Sequence, residues 1–447
     1  MKGRGVMSKI ELTFKGGTHM HDFKELTNKC EIKKGPTPEK VFIALHQHTG
    51  VPCSPLVKVG DEVKMGQKIG EAPGTITAPV HASVSGKVVE IKDLTTVTGV
   101  HTKAVVIEND GLDTVGYTPY NDGYESLDPA VIVERVKEAG IVGLGGAGFP
   151  THVKISTKPD DKIDYVLVNG AECEPYLTSD QKTMEKFPEK VVNGLRIVMK
   201  AMGAKKGFIG IESNKPDAIR LIDEQCKNFD DVEVSVLKTK YPQGDQRRLI
   251  DSILKMKMPS STRSTTEGVQ VINSSTACAI YEAVIEGKPL YEKVITVTGS
   301  SINEPSNLLV RVGTPINEIF DFCGGLNEDV GKVIIGGPMM GESQFTIDLP
   351  TIKAVGGILV LNREEAKPPV ITPCIKCGKC VDVCPVHLMP LYLQLNVLHD
   401  RFEEARDMYI MDCIECGSCS YVCPSKRPLI EAIRHGKREL RAQSSKR

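Results

Sequence analysis

The chain has 447 residues, 40% of them apolar and 25% charged, with 56 basic side chains against 57 acidic ones. At roughly 150 residues per domain that predicts about three globular domains and excludes disorder for most of the length. A formal charge of -1 excludes the global basic field that nucleic-acid binding needs, and no nucleic-acid motif is present. No window reaches the roughly 18 uninterrupted apolar residues of a membrane span; the nearest run is Ala354 to Leu361. The amino terminus, MKGRGVMSKIELTFKGG, is charged and lacks an apolar signal core, so the protein is expected to stay in the cytoplasm. There, fourteen cysteines do not read as disulfides, and eight of them sit in two tight clusters that look like metal ligands. Cys30, Cys53, Cys173, Cys226, Cys278 and Cys323 are scattered and read as small buried apolar side chains.

Residues 1–40 are an amino-terminal segment. From Val41 to Asn109, short β-branched runs cut by Gly and Pro predict an all-β domain over 41–110. VKVGDEVKMGQKIGE and APVHASVSGKVVEI resemble the two halves of a lipoyl or biotinyl carrier sandwich. The joining stretch EAPGTITAPVHA contains no lysine, which rules out a swinging arm and predicts a docking or structural module. Asp128 as N-cap and Pro129 at the first helical position open a helix that ends at Gly140, and a glycine loop follows. The strand DYVLVNG, a long helix around Lys186 to Met202, the strand GFIGIE, a helix from Pro216 to Cys226 and the strand VEVSVL predict an α/β domain with a largely parallel sheet over 128–290. KVITVTGS, LLVRVGTP and a short helix at Ile316 to Phe322 predict a small α+β module over 291–345. Lys367 to Pro369 form a linker into a cysteine-rich domain, 368–431. The basic end, 432–447, reads as a solvated helix and tail, with a contact to a partner or lipid headgroups as the alternative.

Cys374, Cys377, Cys380 and Cys384 form C-x2-C-x2-C-x3-C followed by Pro385, and Cys413, Cys416, Cys419 and Cys423 repeat it before Pro424. This run belongs to bacterial ferredoxins with two cubane clusters, in which each fourth cysteine serves the other cluster. One 4Fe-4S cluster is therefore expected on Cys374, Cys377, Cys380 and Cys423, and a second on Cys413, Cys416, Cys419 and Cys384. Zinc is the structural alternative, but it needs only two C-x2-C pairs and leaves four thiols and both prolines unexplained. Helical periodicity in VHLMPLYLQLNVLHDRFEEARD places helices between the two runs.

Gly143, Gly145 and Gly148 satisfy G-x-G-x-x-G, yet a Rossmann fingerprint needs a strand before and a helix after. Here a helix precedes and Phe149-Pro150-Thr151 follows. What remains is a loop whose backbone can approach a phosphate or flat ring closely, with Lys154 as countercharge; a plain tight turn is the alternative.

GLGGAGFPTHVK resembles the glycine loop of the FMN-binding subunit of respiratory complex I and related NADH dehydrogenases. VNGAECEP resembles their second signature, YPQGDQRRLI their third, and VQVINSSTA a later segment whose Asn contacts flavin phosphate. The resemblance implies that Gly143, Gly145, Gly146, Lys154, Asn169, Gly244, Asp245 and Asn273 hold FMN, and that Phe149, Glu172 and Glu174 face NADH as catalytic residues. Ala171 stands where complex I has an aspartate and Gln246 where it has a second glutamate, departures that bear on flavin geometry and nicotinamide affinity. Read without the resemblance, the Glu172-Cys173-Glu174 stretch could equally be a solvated strand end.

With FKGGTHMHDFK at the start, the whole order of modules resembles the RnfC family, the C subunits of Rnf complexes. That implies a multidomain α/β and α+β fold: a carrier-like β-sandwich, a complex I-type FMN/NADH α/β domain, a β-grasp-like (SLBB-type) module and a two-cluster ferredoxin domain. It further implies an ion-translocating oxidoreductase subunit of the translocase class, peripheral on the cytoplasmic side of the cell membrane. Its cofactors would be two 4Fe-4S clusters and FMN, with NAD(H) as substrate. Its partners would be the other subunits of the membrane complex, with ferredoxin met indirectly and no nucleic acid. The alternatives are a flavin and iron-sulfur reductase of cobalamin with similar architecture, and a non-catalytic subunit that wires electrons without flavin.

Overall fold

The computed structural model describes residues 11–120, 122–156, 162–260 and 262–444. The charged extreme amino terminus, residues 1–10, and the last residues of the basic tail lie outside them.

In the sandwich, Lys40–Ala44, His101–Asn109, Gly86–Thr95 and Glu62–Val63 pair in that order as one antiparallel sheet. Ser54–Pro55, Lys68–Glu71 and Val80–His81 make the second. Side chains alternate across a strand, so Val41, Ile43, Ile69, Val88, Val105 and Ile107 point inward and are fully buried together. The hairpin after Lys68–Glu71, where a carrier would hold its lysine, docks on the α/β domain: the Thr75 carbonyl lies 3.2 Å from His152 Nε2.

The α/β domain's sheet runs Val232–Leu237, Lys206–Glu212, Tyr165–Gly170, Val269–Asn273, every pair parallel. Parallel neighbours need crossovers, and helices supply them. Pro129–Glu138, Pro188–Met202, Pro216–Cys226 and Ser274–Ile285 share one apolar core with the sheet, while Gln246–Leu254 covers the other face through Leu249 and Ile250. Asp128 caps the first helix by accepting from the Ala130 N–H, with Pro129 behind it. The long helix expected around Lys186 to Met202 is Pro188–Met202, and a separate helix, Ser179–Lys186, precedes it. Pro188 has no N–H to give the preceding turn, so it opens the second helix instead of continuing the first.

The third module is a six-stranded mixed sheet, in the order Ile32–Lys34, Ser306–Arg311, Glu292–Thr298, Gly357–Asn362, Val330–Ile335 and Glu342–Ser343. It exceeds the expected span of 291–345 at both ends. Gly357–Asn362 sits in its middle and Ile32–Lys34 on its edge, pairings between distant segments that local pattern cannot reveal.

In the cysteine-rich domain, short helices surround a core that includes Leu393, Val397, Ala405 and Ile410. The basic end corrects the solvated-tail reading. Leu429–Ser444 is one helix, and Ile433 and Leu440 are only 1% exposed in that core. Its apolar stripe recurs at helical spacing beneath the charges.

Candidate functional site

The strand order places a topological switch point between Tyr165–Gly170 and Val269–Asn273, because the chain leaves the first strand to one side and returns on the other. Ligands of open parallel sheets sit at such points, beyond the carboxyl ends of the strands. There Asn169 and Asn273 are register partners. Asn169 donates to the Gly244 carbonyl at 2.7 Å, and its own oxygen accepts from the Ala171 N–H at 3.2 Å. Asn273 caps Ser274–Ile285 through the Thr276 N–H at 3.1 Å and donates to Asp180 Oδ2 at 2.7 Å. Ser275 Oγ donates to the other oxygen of Asp180.

The glycine loop is hung over this edge. Gly143 N–H closes it onto the Phe149 carbonyl at 2.9 Å, and Leu144 N–H is held by Thr276 Oγ1 at 2.9 Å. From the sandwich, Thr49 Oγ1 donates to the Ala147 carbonyl at 2.8 Å. Gly145 and Gly146 stay exposed, and a Cβ on Gly145 would fall 2.8 Å from Asn273 Nδ2. Lys154, the expected countercharge, lies on the short helix Thr151–Ile155 that follows the loop. Burial alone pulls its pKa down to about 8, and no anion among the described residues pairs with its ammonium. A glycine loop followed at once by a helix with a desolvated cation is a donor set that fits the phosphate of FMN. Asp245 caps Gln246–Leu254 by accepting from the Arg247 and Arg248 N–H groups, and Gln246 donates to Ser264 Oγ. Phe149 is half-buried at the end of the loop.

The two expected nicotinamide glutamates have different surroundings. Glu172, at φ 45°, accepts from the backbone of Asp180 at 2.7 Å and Gln181 at 3.0 Å and from Ser179 Oγ at 3.3 Å. Its carboxylate therefore caps Ser179–Lys186. An amide there would turn one acceptor into a donor against a backbone N–H. Glu172→Gln is thus expected to lower the melting temperature, by the equivalent of about 1–3 kcal/mol; an unchanged thermal transition would contradict the capping role. Glu174 differs. Its Oε2 accepts from the Met339 N–H at 3.2 Å, while its buried Oε1 has no partner among the described residues. Burial pushes its pKa up to about 7, placing its proton in the range useful to catalysis. Lys24, from the amino-terminal segment, is buried beside both and donates to the carbonyls of Glu174 and Leu177.

The eight clustered cysteines surround two separate cavities. Cys374, Cys377, Cys380 and Cys423 line an outer one, and Cys384, Cys413, Cys416 and Cys419 line an inner one. Cys374 and Cys377 are exposed, whereas Cys384, Cys416 and Cys419 are buried. The two runs fold alike: Lys376 and Glu415, Gly378 and Gly417, and His387 and Lys426 hold equivalent places, all at positive φ. At Gly378 and Gly417 the left-handed turn favours glycine and leads into a short helix. Four thiols converging on each of two cavities fit two cubane clusters.

Four family descriptions match consecutive stretches of the chain. They are the RnfC Barrel sandwich hybrid domain over 12–112, the Nuo51 FMN-binding domain over 136–282, the SLBB domain over 294–343 and a 4Fe-4S dicluster domain over 373–427. The C subunit of the Na(+)-translocating ferredoxin:NAD(+) oxidoreductase complex of Acetobacterium woodii is 48% identical over 97% of this chain and 98% of its own length. The chain belongs to this family of Rnf C subunits. Its counterpart in the proton-translocating ferredoxin:NAD(+) oxidoreductase complex of Clostridium ljungdahlii is 44% identical over 96% of this chain and 94% of its own. The counterpart in an ion-translocating oxidoreductase complex of Rhodobacter capsulatus is 37% identical over 97% and 84%. As a member of the RnfC family, the chain is part of an oxidoreductase complex and carries an FMN-binding domain and a 4Fe-4S dicluster domain. Among the described residues, no helix is long and apolar enough to cross a membrane.

Sequence reading missed Asp180, Ser275, Thr276, Lys24 and Met339. Asn273-Ser274-Ser275-Thr276, a capping residue followed by hydroxyls before an apolar helix, was a signal for two of them. Lys24 and Met339 arrive from other modules and carry no local signal.

Proposed function

We propose that this chain is the NAD(H)-reacting peripheral subunit of a membrane-bound Rnf-type complex, on its cytoplasmic side, passing electrons between NAD(H) and another subunit. The complex as a whole would link ferredoxin, NAD and ion movement. FMN, once bound, supplies the conversion of a two-electron hydride into single electrons, which cubane clusters carry one at a time. Gly143, Gly145, Gly146 and Lys154 cradle the phosphate; Asn169, Gly244, Asp245 and Asn273 hold the flavin in place, with Asp180 fixing Asn273. Glu174 and Phe149 meet the nicotinamide. The inner cysteine set holds one 4Fe-4S cluster and the outer set a second, which faces the next carrier.

One observation carries this reading. Met339 donates to Glu174 and also borders the inner cysteine loop, its carbonyl 3.3 Å from where a Gly417 Cβ would sit, so the nicotinamide glutamate and the inner set share a wall. Two relatives named for different ions match almost the full chain, at 48% and 44% identity, so we assign ion selection to other subunits.

The test is to purify the chain without oxygen, add FMN, then NADH, and follow the visible absorbance of flavin and clusters. Both are expected to bleach. Flavin bound to intact clusters that NADH leaves fully oxidised would sink the reading. Glu174→Gln is expected to raise the KM for NADH about 10-fold or more, the loss of one hydrogen bond to a charged group; an unchanged KM would remove Glu174 from the nicotinamide site.

A further inference from the structure

The turn that carries Gly244 and Asp245 begins at Tyr241, a side chain 2% exposed at the seam between the α/β domain and the cysteine-rich domain. Its phenol donates to the carbonyl of Cys416 at 2.8 Å, inside the run that lines the inner cavity. Three residues on, Gly244 accepts from Asn169 through its carbonyl, and its N–H lies 3.3 Å from Cys173 Sγ. One short turn thus grips the flavin edge of the sheet at one end and a cluster ligand at the other.

The turn is braced against movement. Tyr241 exchanges two backbone hydrogen bonds with Thr18, at 2.8 and 2.9 Å. Next to Thr18, Gly17 N–H reaches the Val383 carbonyl at 2.8 Å, and a Cβ on Gly16 would fall 2.9 Å from the Cys384 carbonyl. Gln243, fully buried, donates to Ser252 Oγ at 2.8 Å. Arg248, in the following helix, donates to the Pro385 carbonyl. Both sides of the inner loop are therefore pinned to the turn, whereas the outer set has no comparable tie to it among the described residues.

We propose that Tyr241 is a positioning residue that fixes the inner cluster loop against the flavin site and makes the inner cluster the one that exchanges electrons with the flavin. The proposal rests on the reading of the chain as an NAD(H), flavin and iron-sulfur relay. In that relay each NADH yields NAD+, one proton and two electrons, and a cluster held by the inner cysteines would take these one at a time, passing the first to the outer set before accepting the second. Tyr241 acts through Cys416: its hydroxyl holds the ligand's peptide in place, and the positive end of its O–H dipole beside the loop favours the more negative, reduced cluster. Partners of this kind, outside the ligand shell, are worth about 10- to 100-fold when removed.

The experiment compares Tyr241→Phe with the unaltered full chain, both loaded with clusters and FMN. Rapid mixing with NADH reads the step from flavin to cluster, and the electron paramagnetic resonance of dithionite-reduced samples reads each cluster. Signals are assigned with a Cys377→Ala chain that lacks the outer cluster. With iron and flavin content unchanged, Tyr241→Phe should slow the electron step by about 10-fold or more, alter the inner signal and shift its midpoint to lower potential, leaving the outer signal as it was. Loss of the inner cluster alone also supports the anchoring. An inner signal and a transfer rate equal to the unaltered chain overturn the proposal, as does loss of both clusters together. If NADH fails to reduce the flavin of the unaltered chain, the relay reading falls, while the dithionite-reduced spectra still decide the role of Tyr241.

Discussion

Cys416→Ala is expected to abolish NADH-dependent reduction of both clusters, whereas Cys377→Ala is expected to remove only the outer cluster and leave the inner one reducible by NADH. Each substitution removes one of four thiols around its own cavity, and a cubane cluster needs all four. The asymmetry comes from placement. The inner set lies against the turn and the Met339 wall of the flavin site, while Cys374 and Cys377 of the outer set face solvent. On the proposed relay, electrons from NADH would pass the inner set first. Iron content and resonance spectra before and after NADH would show this order. Reduction of the outer cluster in a Cys416→Ala chain that has lost only the inner one would contradict it.

Lys154→Met is expected to weaken FMN binding about 10- to 100-fold, the equivalent of the roughly 1.5–3 kcal/mol of a hydrogen bond to a charged group. The effect has a pH signature. Burial holds the Lys154 pKa down to about 8, so without a bound anion the ammonium loses its proton above that point. A phosphate dianion favours the charged form and raises the pKa, so binding above pH 8 must take up a proton. FMN affinity should therefore be greatest below about pH 8 and fall as pH rises through it, by at most about one decade per unit. Lys154→Met should show a flat profile over the same range. Titrations of FMN fluorescence at several pH values check both; parallel profiles for the two chains would remove Lys154 from the phosphate site.

The cleft and the clusters were legible to different depths. The grouping of the eight cysteines around two cavities was readable because a tight loop brings cysteines three apart onto one cavity whatever surrounds it, and the exchanged fourth cysteine follows from the two-fold repeat. The glycine loop stands out in the sequence because its missing Cβ atoms fall in one local run, as phosphate approach would demand. The cap that Glu172 forms was not legible. Its φ of 45° turns it onto the first turn of the helix at Ser179, a choice made by the backbone rather than the residue type. The carboxyl-terminal helix was misread because its charges outnumber its apolar stripe, and only the ferredoxin core reveals that Ile433 and Leu440 have a place to go.

Sequence alone determined the order of modules, the two cysteine sets and the cap at Asp128, each the product of interactions among neighbours in the chain. Only the tertiary structure decided that Lys24 comes from the amino-terminal segment to lie beside Glu174, that Ile32–Lys34 and Gly357–Asn362 complete one sheet, and that Tyr241 reaches Cys416. Those contacts join residues far apart in sequence. Their geometry depends on how complete modules pack, which no local pattern of residues encodes.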